Sequence, residues 1–128
     1  MALKLRLYRC TICGNIVQVL INGEGELICC GKEMELLEPK RVDIGSEKHV
    51  PVIETREDGS KIVKVGTEPH PMTNEHYIQF IEAISLDKQK LFIEFLKPEY
   101  KPEIHCTFDA DSALEYCNIH GLWEGTND

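Results

Sequence analysis

The sequence predicts a mainly β protein with two modules, a small metal-stabilised domain followed by an antiparallel β-sandwich. Four of the six cysteines fall within the first 30 residues of the 128-residue chain. Residues 1–37 hold four basic and four acidic side chains, whereas the remaining residues hold 10 basic and 18 acidic ones and carry the whole net charge of −8. Short runs of β-branched and aromatic residues, separated by turn-forming residues, recur along the second part.

The composition narrows the classes of function. Hydrophobic residues make up 42% of the chain, which is enough for a packed core. No apolar run reaches the roughly 18 residues that span a bilayer, and the segment Met1 to Cys10 lacks the apolar stretch of a signal peptide. We therefore expect a cytoplasmic protein with no membrane partner. The acidic balance also argues against nucleic acid as a partner, because phosphates would repel it.

The first module is predicted to span residues 1–37. It consists of short strands and tight turns, with strands over Lys4 to Tyr8 and Ile16 to Ile21. A unit of fewer than about 40 residues rarely folds without a metal or disulfides. Residues 38–43 are predicted to be a linker, since Pro39 ends any regular element. The second module then spans residues 44–128.

The second module has the pattern of an antiparallel sandwich. Val50 to Thr55 and Lys61 to Val65 flank an Asp-Gly pair, which is typical of a β-hairpin. Further strands are predicted over Leu91 to Leu96 and Ile104 to Phe108. One segment departs from this pattern, because the apolar residues within 77–84 recur at i, i+3, i+4 and i+7, the spacing of a helix.

Four cysteines of the first module form a predicted tetrahedral metal site: Cys10, Cys13, Cys29 and Cys30. Clustered thiols in a reducing compartment are more often metal ligands than disulfides, although a disulfide pairing stays possible. Neighbouring side chains on a strand point in opposite directions, so two adjacent cysteines require a bend, which Gly31 permits. The spacing alone leaves iron and zinc equally possible, since thiolates accept both.

The second module carries three distinctive histidine motifs. His49 lies in the motif E-K-H-V-P over residues 47–51. Two more histidines lie in H-P-M-T-N-E-H-Y over residues 70–77, and the last motif is C-N-I-H-G over residues 117–121. Together these motifs resemble the superoxide reductases, which comprise desulfoferrodoxin and neelaredoxin. The C-x-x-C…C-C arrangement of the first module resembles desulforedoxin, a small rubredoxin-like iron protein.

The resemblance implies a fold and a set of ligands. The fold would be a rubredoxin-like or desulforedoxin-like domain followed by an immunoglobulin-like β-sandwich, which also makes residues 76–84 a strand. Two iron ions would bind per chain, the first at the four cysteines. The second would have four equatorial histidines and one axial thiolate: His49, His70, His76, His120 and Cys117. His105 and Cys106 match no family ligand and are expected to be strand residues.

The resemblance also implies an activity and partners. The chain would reduce superoxide to hydrogen peroxide, take electrons from a rubredoxin and form a homodimer. Lys48 would attract superoxide and help to protonate the product, while Glu47 would ligate the oxidised iron. Three alternatives remain: a superoxide dismutase, a plain electron-transfer iron protein and a zinc-stabilised binding module.

Overall fold

The computed structural model describes residues 2–43, 48–67 and 70–127. The described residues form twelve strands and no helix, which confirms the prediction of a mainly β protein. They accordingly contain no helix long and apolar enough to cross a membrane. The chain divides into two compact units, Met1–Glu38 and Pro39–Asp128.

The first unit consists of very short strands around a small core. A three-stranded antiparallel sheet has the order β2-β1-β5, with β1 over Leu7–Arg9, β2 over Ile16–Gln18 and β5 over Glu35–Leu36. The remaining two strands, β3 (Ile28–Cys29) and β4 (Lys32–Glu33), form a hairpin. The buried core is made of Ala2, Tyr8, Cys10, Val19 and Met34. So small a core favours a unit that a bound metal stabilises.

The second unit is a sandwich of two antiparallel sheets. Its strands are β6 (Pro51–Thr55), β7 (Lys61–Val65), β8 (Ile78–Ser85), β9 (Leu91–Phe95), β10 (Glu103–Cys106), β11 (Ala110–Cys117) and β12 (Gly121–Thr126). One sheet has the order β10-β7-β6 and the other β12-β11-β8-β9. Val63 and Ile104 from the first sheet pack in one core with Ile81 and Ala113 from the second. The predicted sandwich is confirmed.

Strand β8 shows why its local pattern was misleading. The apolar residues within 77–84 have the spacing of a helix, but this segment is not helical. A strand over Ile78–Ser85 is present instead, as the family resemblance implied. Phe80 and Ile81 are neighbours on opposite faces, yet both are buried. A strand covered on both faces can be apolar at consecutive positions, so it loses the alternation that marks a half-exposed strand.

The residues that join the two units take part in the sandwich unit. The Lys40 N–H donates to the Leu122 carbonyl at 3.0 Å, and the Lys40 carbonyl accepts the Glu124 N–H at 2.9 Å. Arg41 Nε donates to Glu124 Oε1 at 2.6 Å. The residues Lys40 and Arg41, which the sequence predicted to be part of a linker, therefore lie along β12.

Candidate metal centres

The four cysteines of the first unit form one cluster. Their sulfur atoms all lie within 4.8 Å of one another, and Cys13 Sγ lies 3.6 Å from Cys29 Sγ. The turn between the first two cysteines is closed by the Gly14 N–H, which donates to the Cys10 carbonyl at 2.9 Å. Gly14 has a φ of 83°, a left-handed conformation that glycine adopts without steric cost. The C-x-x-C turn thus brings the sulfur atoms of Cys10 and Cys13 into the same candidate metal site.

The adjacent cysteines reach the cluster through the turn of the β3–β4 hairpin. Cys29 pairs with Lys32, so Cys30 and Gly31 are the two central residues of the turn. Their φ angles are 53° and 73°, both left-handed, as a type I′ turn requires. The bend that the sequence predicted at this point is therefore present. A left-handed non-glycine residue costs about 1 kcal/mol, which a metal held by Cys30 would offset.

Two thiols of the cluster, Cys10 and Cys30, differ in their affinity for protons. The Cys13 backbone N–H donates to Cys10 Sγ at 3.4 Å and lowers the pKa of Cys10 to about 6. The neighbouring thiols, first Cys13 and then Cys10, raise the pKa of Cys30 to about 12. Thiolates bind metal and thiols do not, so a metal must displace the proton of Cys30. Metal affinity at this cluster should therefore rise with pH across the neutral range.

The four motif histidines of the second unit form a closed ring of imidazoles. Successive ring centroids are 4.5 Å apart for His49–His70, 4.8 Å for His70–His76, 5.0 Å for His76–His120 and 4.8 Å for His120–His49. Cys117 Sγ lies 3.9 Å from His120 Nδ1. Donor atoms of His49, His70, Cys117 and His120 lie within 4.8 Å of one another. Four of the five predicted residues thus have their donor atoms in one group, while His76 joins them through its ring, which lies beside those of His70 and His120.

Local structure fixes several of these ligands. His70 Nδ1 lies 2.7 Å from the Pro71 carbonyl, which can only accept, so Nδ1 carries the proton and Nε2 keeps the lone pair that a metal needs. Asp43 Oδ1 accepts the backbone N–H of His49 at 2.6 Å. Cys117 ends β11 and His120 precedes β12, so one hairpin supplies two donors.

Asn118 connects two of the ligand segments. Its side-chain oxygen accepts the Tyr77 N–H at 2.9 Å, and its side-chain nitrogen donates to the Glu75 carbonyl at 3.0 Å. Its backbone N–H also donates to the Tyr77 carbonyl at 3.2 Å. Since Glu75 and Tyr77 flank His76, the asparagine of the C-N-I-H-G motif holds the His76 segment against the Cys117–His120 turn.

A buried carboxyl group that the sequence reasoning missed lies beside His49. Glu115 is fully buried, and its Oε2 lies 3.5 Å from His49 Nδ1. Burial first, and then the charge of Asp43, raises the pKa of Glu115 to about 9, which favours the protonated carboxyl group at neutral pH. Residues two positions apart on a strand face the same side, so Ala113, Glu115 and Cys117 all lie on the inner face of β11. The spacing of Glu115 from the predicted ligand Cys117 was therefore the signal in the sequence.

The remaining predicted site residues lie in different places. Lys48 is half-buried, and Gly66 approaches it so closely that an added Cβ would lie 2.4 Å from the Lys48 carbonyl oxygen. Glu47 lies outside the described residues. Within the described ranges, His105 and Cys106 belong to neither donor cluster. Both lie on β10, as expected, and Cys106 is buried. His105 Nδ1 lies 3.0 Å from Arg56 Nη1.

The chemistry of both donor sets fits iron. Four thiolates suit a tetrahedral iron, and four imidazoles with one thiolate suit a mononuclear non-haem iron. His70, with its tautomer set by Pro71, and the buried Cys117 could both serve as ligands of such an ion. The two sets share no residue and belong to different units.

Comparisons with known proteins identify the family. Residues 41–126 match the family model described as desulfoferrodoxin, and residues 2–37 match the desulfoferrodoxin N-terminal domain. The chain belongs to the desulfoferrodoxin family. The desulfoferrodoxin of Desulfarculus baarsii is 49% identical over 126 residues, which cover 97% of this chain and 98% of the relative. The identity therefore extends over both modules.

Two further relatives are superoxide reductases. The crystal structure of the superoxide reductase from Treponema pallidum superimposes with a TM-score of 0.76 at 25% identity, covering 96% of this chain and 98% of that one. The superoxide reductase of Pyrococcus furiosus is 35% identical over 116 residues, covering 64% of this chain and 88% of the relative. Superoxide reductases therefore resemble this chain in fold over nearly its whole length and in sequence over 64% of it.

Proposed function

We propose that this desulfoferrodoxin is a superoxide reductase, which converts superoxide, one electron and two protons to hydrogen peroxide. The observation that carries the proposal is the closed ring of four imidazoles with the buried Cys117 thiol beside it. A pure electron carrier needs no ligand set with an open coordination position. The proposed ligands of the first iron are Cys10, Cys13, Cys29 and Cys30, and those of the second include His49, His70, His120 and Cys117, whose donor atoms lie together. His76 is proposed as the fifth ligand of the second iron, because its ring lies beside those of His70 and His120.

The residues at the second centre are proposed to have different roles in the reaction. An iron ion held by these residues would supply the one electron that superoxide needs. Cys117 is wholly buried, so its thiolate donates electron density from the interior of the sandwich. His76 and His120 are only half-buried and leave an accessible side. Lys48, which precedes His49 in sequence, would attract the anion and supply a proton to the product, and Glu47 would ligate the oxidised metal once the product has left.

The first iron and the electron supply form a second part of the proposal. Cys13 and Cys30 are exposed, so an iron held by them is open to an electron-transfer partner. A rubredoxin, which the family resemblance implies, is the proposed donor. All six cysteines are free thiols, in agreement with a reducing compartment and a cytoplasmic location. The proposed domains are residues 1–37 and 44–128, joined by residues 38–43.

A homodimer is also proposed, with the outer face of the four-stranded sheet as the contact. Phe80 lies 6.3 Å from Phe95 and 6.0 Å from Tyr116 between ring centroids, and Phe95 is 71% exposed. Phe95 is thus an exposed ring beside the buried Phe80 and the half-buried Tyr116, and exposed aromatic side chains are enriched at interfaces. Phe95→Glu should convert the dimer to a monomer in light scattering at micromolar concentration. Leu86→Glu, equally exposed but in the β8–β9 turn, is the control that should remain dimeric.

The two iron centres should be separable by mutation. Cys13→Ser removes one of four thiolates, so the first iron should be lost while the second keeps full occupancy and activity, because the two ligand sets share no residue. Iron analysis and superoxide reduction by the variant measure this. Loss of both irons together with all activity would contradict the two-centre proposal.

The function itself is tested first by metal analysis with a visible spectrum of the purified protein. Two irons per chain and coloured ferric centres are expected, since ferric thiolates absorb visible light and zinc sites are colourless. Zinc at the second centre of protein purified from its native source would contradict the proposal.

A further inference from the structure

Lys40 reaches the second metal centre from a segment that carries none of the family motifs. Its ammonium donates to the backbone carbonyl of His120 at 2.8 Å. The same ammonium lies 5.0 Å from the centroid of the Trp123 ring, within the range of a cation–π contact. One side chain thus contacts two different parts of the site.

One contact is with a proposed iron ligand, and the other is with a residue that packs against a second ligand. The first acceptor is the carbonyl of His120 itself, at the peptide that precedes the left-handed Gly121. The second, Trp123, stacks on the His49 ring with centroids 4.6 Å apart and an angle of 12° between the planes. Movement of Lys40 would therefore release the His120 turn and the tryptophan against which His49 packs.

The backbone of Lys40 is itself anchored. Its N–H and carbonyl bond to Leu122 and Glu124, the two neighbours of Trp123, in a parallel bridge. Most exposed lysines lose considerable rotamer entropy when their ammonium is fixed, which weakens their contacts. Here the main chain already places the side chain over its acceptors, so a larger part of the interaction is retained.

We propose that Lys40 is a positioning residue of the second iron centre, holding His120 directly and His49 through Trp123. The inference rests on the proposed ligand set of that iron. It adds to the site a residue that lies 80 positions before His120 in sequence. Lys40 touches neither substrate nor metal, so its effect is on how firmly the ligands are held.

The experiment measures loss of iron to a chelator from the holoprotein, with the four-cysteine iron as an internal standard. Lys40→Met keeps the aliphatic stem and removes the ammonium, whereas Lys40→Arg keeps both a donor and a cation. Lys64→Met is the control, since Lys64 is an exposed lysine of the same unit paired with Glu54. Electron paramagnetic resonance of the ferric centres reports the ligand geometry independently.

For Lys40→Met we expect second-site iron to leave about 10-fold faster, the size of effect typical of groups that orient metal ligands, and its ferric signal to broaden. First-site iron should leave at the wild-type rate, and Lys40→Arg should restore both readouts. Equal release and identical signals for Lys40→Met and wild type, or equal acceleration in Lys64→Met, would overturn the inference. Wild-type protein with no iron at the second site would overturn the proposed ligand set as well.

Discussion

Gly125→Ala is expected to lower the free energy of unfolding of the sandwich unit by about 3 kcal/mol, at the upper end of the cost of overpacking a core. A Cβ at Gly125 would lie 2.0 Å from the Pro51 carbonyl oxygen and 3.0 Å from its carbonyl carbon. Both atoms belong to the backbone of β6, so no side chain can move aside. The start of β6 and strand β12 would have to separate.

The same substitution should disturb the second iron. Pro51 lies two residues after His49, and Gly125 lies two residues after Trp123, which stacks on the His49 ring. Separating the strands at this point therefore moves His49 away from His120. Thermal unfolding and iron analysis measure both effects, and we expect Tm to fall by more than about 10 °C.

Gly121→Ala is the matched control on the same strand. Gly121 has a φ of 84° but nothing within 4 Å of an added Cβ, so alanine there meets backbone strain alone. That strain should cost about 1 kcal/mol. If Gly125→Ala cost no more than Gly121→Ala, the close approach of β12 to Pro51 would not be the reason for the glycine.

Lys48→Ile is expected to slow the reaction of superoxide with the ferrous protein about 10-fold, toward the lower end of what electrostatic focusing contributes. The net charge of −8 opposes an approaching anion. Distant charges are screened beyond about 10 Å at 0.1 M salt, so a lysine next to a ligand counts for more than remote glutamates. Iron content should stay unchanged, and the rate should depend less on salt.

Glu47→Ala separates the two neighbouring charges. Removing this carboxylate should leave the encounter rate unchanged or faster, while the ferric spectrum shifts because the proposed sixth ligand is lost. Pulse radiolysis of both variants at two salt concentrations makes the comparison. Equal encounter rates for wild type and Lys48→Ile would show that Lys48 is only a solvated charge.

Features carried by short motifs were predictable from sequence. The C-x-x-C turn and the three histidine motifs each hold their metal-binding residues within a few positions of one another. The family resemblance indicated that the three histidine motifs bind the same metal ion. The bend at Gly31 was predictable for the same reason, because adjacent cysteines cannot share a metal on a straight strand. The Asp-Gly hairpin was equally local, and it joins β6 to β7 as expected.

Features that depend on tertiary contacts were not predictable. Strand β8 lost its alternation because both faces are covered, and only the resemblance corrected the helical pattern. Nothing in the local sequence shows that Glu115 lies beside His49, and this contact depends on the packing of β11. Lys40 belongs to a segment predicted to be a linker, and its partner His120 lies 80 positions away. No local periodicity encodes contacts of that kind.

The yields of oxygen and hydrogen peroxide as the protein consumes superoxide distinguish a superoxide reductase from a dismutase. A reductase supplied with an electron donor should form one hydrogen peroxide per superoxide and release no oxygen. A dismutase would release one oxygen for every two superoxide ions and would need no donor. We expect the first stoichiometry, and loss of activity in Cys117→Ser. Oxygen release without a reductant would contradict it.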